Sequence, residues 1–347
     1  MANLNDNTLY RDDLQGILQK DYLDLLKGKR ILITGATGLI GKCLVDALMY
    51  GNSMGADVHV YATGRSLQKS TERLGMYFED ERFSLIEQDL EKPFSSDLAV
   101  DYVIPLASNT HPAAYSQYPI ETIMTNIKGA ENALNLAVAC GATVLYPSSV
   151  EIYGNAKENE AFAEDYTGIL NLSTARSCYT ESKRLCEAMC QSYAAERGLL
   201  VKIVRLSRVF GPTMLQEDTK ASSQFIKKAL QGEDVVLKSE GRQYYSYTYV
   251  ADAVRAMLHI LCYGINGEAY NVAVDSCNVH LRDFACYCAQ WAGRAVVYDI
   301  PSDMERKGYS IAMNAILDNT KLKSLGWTPL YNIEEAVSRT LMILAGP

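Results

Sequence analysis

The sequence predicts an α/β protein with a doubly wound parallel sheet and a smaller lobe formed by its C-terminal third. Short apolar runs, typical of buried parallel strands, alternate with segments of helical periodicity as far as residue 206. A turn with three glycines follows the first of these runs. Beyond Gly211-Pro212 the alternation gives way to shorter, mixed elements. This order of elements favours one main sheet with helices on both faces, followed by a second lobe.

The glycine turn is the most informative local feature. The first strand, residues 31–33, leads into Gly35, Gly38 and Gly41, and helical spacing follows in residues 42–50. Glycines let the backbone approach a pyrophosphate, and the helix N-terminus supplies N–H groups and the positive end of its dipole. The G-x-x-G-x-x-G spacing differs by one residue from the usual Rossmann form. A plain strand-to-helix turn is the alternative, but it does not require three residues that cost chain entropy and pack nothing.

The other helices and strands are also predicted from hydrophobic periodicity and from the residues at their ends. Residues 5–28 show one or two helical segments, which we interpret as an extension that packs on the body or contacts a second copy. Further strands of the main sheet are predicted at 58–62, 83–90, 102–108, 143–146 and 201–206. Two long helices, 118–140 and 177–197, each end at a glycine. The remaining predicted elements are helices at 222–230, 252–262 and 333–344 and strands at 235–237 and 244–249.

These elements divide the chain into three parts. Residues 1–28 form the helical extension, and residues 29–211 form a dinucleotide-binding domain of the Rossmann type. Residues 212–347 form the C-terminal lobe, which we expect to bind the substrate, except that residues 243–275 return to the first domain.

Composition and charge exclude several classes of function. The 347 residues carry a net charge of −8 and a pI of about 5.2, without a basic tract, so nucleic acid and anionic membranes are unsuitable partners. No apolar run reaches membrane-spanning length, and the acidic, polar start does not have the pattern of a signal peptide. Nine scattered cysteines without a C-x-x-C pair predict reduced thiols in a cytoplasmic protein. With only four dispersed histidines, we expect no metal centre.

The end of the second strand bears on cofactor choice. An NAD site usually places Asp or Glu there to hold the ribose hydroxyls, but this chain has Thr63-Gly64-Arg65-Ser66. Arg65 either faces the 2′-phosphate of NADP or is a solvated loop charge.

The chemistry centres on Tyr179, Lys183 and Ser149. Tyr179 and Lys183 lie four residues apart on a helix and therefore project from one face. A nearby ammonium favours the phenolate and lowers its pKa, which suits Tyr179 for proton exchange with a substrate hydroxyl. Ser149 closes a strand, at the sheet edge where ligands bind, and its hydroxyl can bond to the same oxygen.

These motifs together resemble the extended short-chain dehydrogenase/reductases of the nucleotide-sugar epimerase/dehydratase type. The resemblance covers residues 29–345 and rests on these motifs: Thr34-Gly35-x-x-Gly38-x-x-Gly41, Asp89-Leu90, Leu106-Ala107-Ser108, Asn126, Ser148-Ser149-x-x-Ile152-Tyr153-Gly154, Tyr179-x-x-x-Lys183, Arg205-x-x-x-x-x-Gly211-Pro212, Tyr249-Val250-x-Asp252 and Asp318-x-x-Lys321-x-x-x-Leu325-Gly326-Trp327-x-Pro329. It implies an NAD(P) cofactor over the sheet, a nucleoside-diphosphate sugar in the second lobe, and hydride transfer between them. It also implies a homodimer formed through the helix that carries Tyr179 and its neighbour.

The resemblance assigns roles to individual residues. The cofactor site it implies comprises Gly35, Thr37, Gly38, Leu39, Ile40, Arg65, Asp89, Leu90, Leu106, Ala107, Ser108, Asn126, Tyr179 and Lys183. The catalytic residues are Ser149, Tyr179, Lys183 and Glu151. The substrate site comprises Ser149, Arg176, Arg208, Arg242 and Tyr245.

Several positions indicate which reaction the resemblance favours. The Pro112-x-x-Tyr115 segment, Arg176-Ser177-Cys178-Tyr179 and Glu151 are similar to UDP-glucuronate decarboxylases. Dehydratases place an acid where this chain has Val150. Decarboxylases carry an arginine at the position of Tyr245, and Arg208 stands where many relatives have asparagine, which suggests a relocated positive charge.

Four alternatives follow from these positions. The first is decarboxylation of UDP-glucuronate through a C4 ketone, in which Glu151 acts on the ring or only holds a loop. The others are 4-epimerisation, NADPH-dependent reduction of a keto sugar, and 4,6-dehydration, which Val150 disfavours. A further alternative, from a different functional class, is a non-catalytic nucleotide-binding protein. The intact Ser149, Tyr179 and Lys183 argue against it.

Overall fold

A seven-stranded parallel sheet forms the centre of the computed structural model, which describes residues 4–110, 116–154, 160–299 and 314–346. In order across the sheet its strands are β10 (Ala269–Val272), β6 (Leu200–Leu206), β5 (Thr143–Ser149), β4 (Tyr102–Pro105), β1 (Arg30–Thr34), β2 (His59–Gly64) and β3 (Phe83–Glu87). The strand order reverses between β1 and β4, so a crevice opens at the carboxyl ends of these two strands. The predicted doubly wound parallel sheet is confirmed.

The sheet is covered on both faces. Ile31 and Ile33 of β1 point into one apolar core, and Leu32 points into the other, as alternation along a strand requires. The main flanking helices are α3 (Leu39–Ser53), α4 (Leu67–Leu74), α5 (Pro119–Cys140), α6 (Ser177–Arg197) and α8 (Val250–Tyr263). α5 and α6 pack side by side on one face, and α3 and α8 pack together on the other.

Smaller sheets and helices complete the C-terminal half. The strands outside the main sheet are β7 (Arg208–Phe210), β8 (Val235–Leu237), β9 (Tyr244–Tyr249), β11 (Asn278–His280), β12 (Val296–Tyr298) and β13 (Asn314–Ala315). β9 pairs with β7, β11 and β13, and β8 pairs with β12. The helices are α7 (Ala221–Leu230), α9 (Leu281–Trp291), α10 (Thr320–Ser324) and α11 (Ile333–Ala345). Thus β9 lies outside the main sheet, whereas α8 and β10 belong to its layers.

The N-terminal segment packs on its own chain through α1 (Thr8–Ile17) and α2 (Lys20–Leu26). The Tyr10 hydroxyl donates to Asp46 of α3 at 2.7 Å. The buried carboxylate of Asp13 accepts from the Tyr249 hydroxyl at 2.5 Å and from Arg339 Nε of α11 at 2.8 Å. α1 therefore joins the helix that follows the glycine turn to the last helix of the chain.

Several boundaries differ from those that the sequence predicts. α3 begins at Leu39 rather than at residue 42, because the second glycine, Gly38, is already the N-cap and the third, Gly41, lies inside the helix. β3 and β4 end at Glu87 and Pro105, which leaves the polar ends of both predicted segments in loops over the crevice. In the part of the chain that the structure describes, no helix has the length and apolarity needed to span a membrane.

Candidate active site

The glycine turn lies against the loop that follows β4. Gly35 has a φ of 65°, in the left-handed region that favours glycine, and a Cβ there would lie 2.7 Å from the backbone nitrogen of Ala107. A Cβ on Gly41 would collide with the carbonyl oxygen of Gly35. Both positions therefore require glycine so that the turn can fold tightly between β1, α3 and the β4 loop.

The first turn of α3 is open to a ligand. Gly38 occupies the N-cap position and has no side chain to accept from the helix N–H groups. Thr37, Leu39 and Ile40 are partly exposed beside it, and the Leu39 carbonyl accepts from the Thr213 hydroxyl at 2.7 Å. Uncapped N–H groups at the N-terminus of a long helix suit the diphosphate of a dinucleotide. The residues present thus fit the phosphate portion of NAD(P).

Side chains from β1, β4 and α5 line the adjoining cleft. The Thr34 hydroxyl oxygen accepts from the Ala107 N–H at 3.1 Å, which ties the loop containing Leu106 to the end of β1. The Ser108 hydroxyl donates to the Asn126 side-chain oxygen at 2.7 Å. Asn126 in turn donates to Ser182 of α6 at 2.8 Å. This chain of bonds connects the predicted cofactor residues to the helix that carries Tyr179.

Asp89 and Leu90 have separate roles in the loop after β3. Leu90 is buried, and its carbonyl accepts from Asn132 of α5 at 2.7 Å. Asp89 is exposed, and its carboxylate accepts from the Glu91 N–H at 3.1 Å. Leu90 lines the same cleft as Thr34, Asn126 and Lys183.

Arg65 stands at the carboxyl end of β2 with its side chain 72% exposed. Its guanidinium lies 3.8 Å from the Glu121 carboxylate at the start of α5. A carboxylate next to Arg65 competes with any phosphate for its charge.

Lys183 is fixed beneath β5. Its ammonium is buried and donates to the Pro147 carbonyl at 2.9 Å, and it lies 5.1 Å from the centre of the Tyr146 ring. Burial lowers the pKa of Lys183. Tyr179 is half-buried one turn earlier on α6, and its carbonyl accepts from the Ser182 hydroxyl at 2.9 Å. The buried cation and the phenol thus share one helix beside the carboxyl end of β5.

Ser149 ends β5 and directs the short 3-10 turn that follows. Its hydroxyl oxygen accepts from the Glu151 N–H at 3.3 Å. Ser148 lies beside it with a buried hydroxyl that has no hydrogen-bond partner among the described residues. Sequence reasoning assigned no role to Ser148. The signal available was its place in the same strand end, one residue before Ser149.

Glu151 faces two substrate-site candidates. Its carboxylate lies 3.5 Å from the Arg208 guanidinium, which is stacked 3.5 Å from the centre of the Tyr245 ring. β7 and β9 pair with Arg208 opposite Tyr247, and this register brings Arg208 next to Tyr245. The structure therefore brings Glu151, Arg208 and Tyr245 together.

The other two predicted arginines stand just before β9 and just before α6. Arg242 is exposed before β9, and its guanidinium pairs with Glu240 at 2.6 Å. Arg176 is half-buried at the residue before α6, three positions from Tyr179. Pro112 and Tyr115, which the sequence comparison with decarboxylases used, lie outside the described residues.

Sequence reasoning gave no role to a second ion pair beneath this region. Arg205 of β6 pairs with Glu187 of α6 at 2.7 Å and donates to the Tyr153 hydroxyl at 2.8 Å. Tyr153 donates in turn to Asn271 of β10. This network holds the segment after Glu151 against the sheet. Metal-ligating clusters of three or more His, Cys, Asp or Glu are absent from the described ranges.

A dinucleotide cradle at the switch point, with a Tyr-x-x-x-Lys helix and a strand-end serine beside it, defines a short-chain dehydrogenase/reductase fold and site. The family model described as the NAD dependent epimerase/dehydratase family matches residues 31–273. The chain belongs to this family, and the membership expected from its motifs is confirmed. Membership of this family makes the protein an NAD-dependent enzyme.

Curated relatives share the family. UDP-glucuronic acid decarboxylase 1 of Xenopus tropicalis is 32% identical, over 90% of this chain and 71% of that protein. The Danio rerio protein of the same name is also 32% identical, over 90% of this chain and 72% of its own length.

Solved structures show the same fold. UDP-glucose 4-epimerase of Thermotoga maritima, with UDP-glucose, has a TM-score of 0.76 at 24% identity, covering 90% of this chain and 97% of that one. UDP-glucuronic acid 4-epimerase of Bacillus cereus, with UDP-glucuronic acid and NAD, has a TM-score of 0.77 at 21% identity, covering 90% and 98%.

Proposed function

We propose that this enzyme decarboxylates UDP-glucuronate by way of a ketone at C4 of the sugar, with NAD as its cofactor. The observation that carries the proposal is Glu151, which follows the strand end bearing Ser149 and pairs with Arg208 at 3.5 Å. A carboxylate and a guanidinium directly after the strand end that bears Ser149 supply groups that an anionic sugar requires. The decarboxylase relatives support the same reading.

Tyr179, Ser149 and Lys183 act on the C4 oxygen. In the proposed reaction Tyr179 takes the proton of the C4 hydroxyl and later returns it. The Ser149 hydroxyl bonds to the same oxygen and fixes its position. Lys183, buried and held by Pro147, supplies the positive charge that favours the phenolate of Tyr179. The chemistry that bound NAD would supply is reversible hydride transfer at C4.

Glu151 and Arg208 act on the other side of the ring. A ketone at C4 makes the C6 carboxylate that of a β-keto acid, so the bond between C5 and C6 breaks with release of carbon dioxide. The electron pair left at C5 requires a proton. Glu151 positions or delivers that proton. It lies in the short 3-10 turn that begins directly after Ser149, which keeps its carboxyl group near the C4 site.

The second candidate is a 4-epimerase. It needs only Ser149, Tyr179 and Lys183, and in that case the ion pair between Glu151 and Arg208 is structural. Dehydration receives no support, because Val150 is buried and apolar where the dehydratases have an acid.

A product assay tests the proposal. Purified protein is incubated with NAD and, separately, UDP-glucuronate, UDP-glucose, and a 4-keto sugar nucleotide with NADPH, and the products are identified by mass. We expect only UDP-glucuronate to react, with a loss of about 44 mass units, which is the mass of carbon dioxide. Epimerisation leaves the mass unchanged, and reduction and dehydration change it by other amounts. Isomerisation without mass change would assign the epimerase, and net reduction of the keto sugar would assign the reductase.

We propose NAD rather than NADP because Glu121 already neutralises Arg65 and would repel a 2′-phosphate. Arg65→Ala should change the affinities for NAD and NADP by similar factors, about twofold, as expected for an exposed ion pair. Binding titrations with both cofactors measure this, and the exposed Lys27→Ala serves as the matched loss of charge. A loss of tenfold or more for NADP alone would assign Arg65 to the 2′-phosphate and favour the reductase.

We propose that the enzyme is a homodimer formed through α5 and α6. Apolar side chains are exposed on these helices, including Met124 at 40% and Leu185 at 46%. Leu185→Asp should therefore convert a dimer into a monomer, as measured by native mass and sedimentation. Leu200→Asp, an equally exposed leucine at the start of β6, is the control and should leave the mass unchanged. A monomeric wild type, or a dimeric Leu185→Asp variant, contradicts the proposal.

We also propose a cytoplasmic location. None of the nine cysteines, all of which lie in the described residues, forms a disulfide, and six of them are buried. Reduced thiols of this kind are typical of a reducing compartment.

A further inference from the structure

Arg208 has an unusual environment for an arginine of an ion pair. It is the first residue of β7, two positions after Leu206, which pairs with Ser149 across β5 and β6. Its guanidinium therefore lies just beyond the sheet edge that bears Ser149. Stacking on the Tyr245 ring at 3.5 Å fixes the plane of the guanidinium.

The hydrogen-bonding capacity of this guanidinium is only partly used. Its Nη2 lies 3.5 Å from Glu151, longer than the 2.7–2.9 Å typical of charge-assisted bonds. Its Nη1 is buried and has no hydrogen-bond partner among the residues that the structure describes. A planar fork with five donors is suited to a bidentate carboxylate, and Glu151 does not fill it.

Arg208 and Glu151 are both partly open to solvent. The Arg208 side chain is 22% exposed and that of Glu151 is 33% exposed, so neither is sealed in the core. Tyr245 and Nη1 of Arg208 are buried, which leaves the side of the guanidinium that meets Glu151 for a ligand.

We propose that Arg208 is the receptor for the carboxylate of the substrate sugar and that Glu151 occupies it only in the free enzyme. This inference rests on the proposed function, because it takes the substrate to be a nucleotide sugar that carries a carboxylate. The incoming carboxylate takes the place of Glu151 at Nη2 of Arg208, since Nη1 is buried. Two carboxylates repel each other at one guanidinium, so Glu151 leaves Arg208 when the substrate carboxylate binds.

Substitutions of Arg208 and Glu151 should have opposite effects on the affinity for UDP-glucuronate. Arg208→Gln removes the receptor, whereas Glu151→Gln removes the competitor and keeps the receptor. Neither substitution should change the affinity for UDP-glucose by more than a small factor, because UDP-glucose has a hydroxyl where UDP-glucuronate has its carboxylate.

Calorimetric titration of the full chain with NAD present tests this, in a Tyr179→Phe background that prevents turnover. Arg208→Gln should weaken UDP-glucuronate binding about tenfold or more, the usual order for a lost charge-assisted pair, and UDP-glucose binding less than twofold. Glu151→Gln should tighten UDP-glucuronate binding several-fold with UDP-glucose unchanged. Arg208→Lys should restore part of the lost affinity, since it keeps the charge but not the fork.

The results separate the inference from the function on which it rests. Equal losses for both nucleotides in Arg208→Gln, or weaker UDP-glucuronate binding in Glu151→Gln, overturn the receptor role and leave decarboxylation standing. If the Tyr179→Phe protein itself binds UDP-glucose but not UDP-glucuronate, the proposed function fails and the inference fails with it. Because Glu151→Gln predicts a gain, a misfolded Arg208 variant does not prevent a decision.

Discussion

Tyr179→Phe is expected to lower the turnover of UDP-glucuronate by about two to four orders of magnitude, the scale of a positioned acid/base. The substitution keeps the ring and removes the hydroxyl that exchanges a proton with the C4 oxygen. Binding should survive, because the ring is kept and the Tyr179 carbonyl still accepts from the Ser182 hydroxyl. Steady-state rates and calorimetric binding measure the two effects separately.

Tyr193→Phe is the matched control for this variant. Tyr193 lies on the same helix, and its hydroxyl donates to Asn135 at 2.8 Å on the exposed side of α5. Its loss should leave turnover within about twofold of the wild type, as is usual for surface substitutions. If Tyr179→Phe turns over substrate at the wild-type rate, the Tyr179 hydroxyl is not the acid/base of the reaction.

Glu151→Gln is expected to reduce product formation by about two orders of magnitude while the substrate still reduces the cofactor. The amide keeps the size of the side chain but cannot position or deliver a proton at C5. Oxidation at C4 depends on Ser149, Tyr179 and Lys183 and should continue. Absorbance of the reduced nicotinamide, followed together with product quantification, distinguishes the two steps.

Glu268→Gln provides the control for Glu151→Gln. Glu268 also pairs with a cation, Lys321, at 2.6 Å, but it directly precedes β10 and so lies at the amino-terminal edge of the parallel sheet, opposite the edge that bears Ser149. Its substitution should change product formation by less than about twofold. If Glu151→Gln forms product at the wild-type rate, Glu151 is structural, and the epimerase becomes the better proposal.

Local patterns of the sequence were sufficient to predict six of the seven strands of the main sheet, and the edge strand β10 was missed. Apolar runs such as residues 31–33 are buried on both faces, and their composition alone indicates parallel strands. The glycine turn was equally clear, because glycine is required where backbone approaches backbone, as at Gly35 and Ala107. Short strands such as β7 were missed, since three residues carry no periodicity and pair only through tertiary contacts.

The contacts within the candidate site depend on tertiary register, which local patterns do not encode. Nothing in the spacing of Glu151, Arg208 and Tyr245 indicates that they meet, because they come from three different segments. The bond from Lys183 to the Pro147 carbonyl likewise depends on how α6 packs against β5. The sequence thus indicated which residues to examine, and the fold determined which of them contact each other.

The contact between Asp13 and Arg339 joins residues 326 positions apart, and that between Asp13 and Tyr249 joins residues 236 apart. A chain that is synthesised from its N-terminal side makes α1 before α8 and α11, the later helices on which it packs, so Tyr10, Leu14 and Ile17 wait for their partners. Such non-local contacts are slow to form. During synthesis the apolar face of α1 is therefore exposed until α8 and α11 have been made, and it is a surface that a chaperone would recognise.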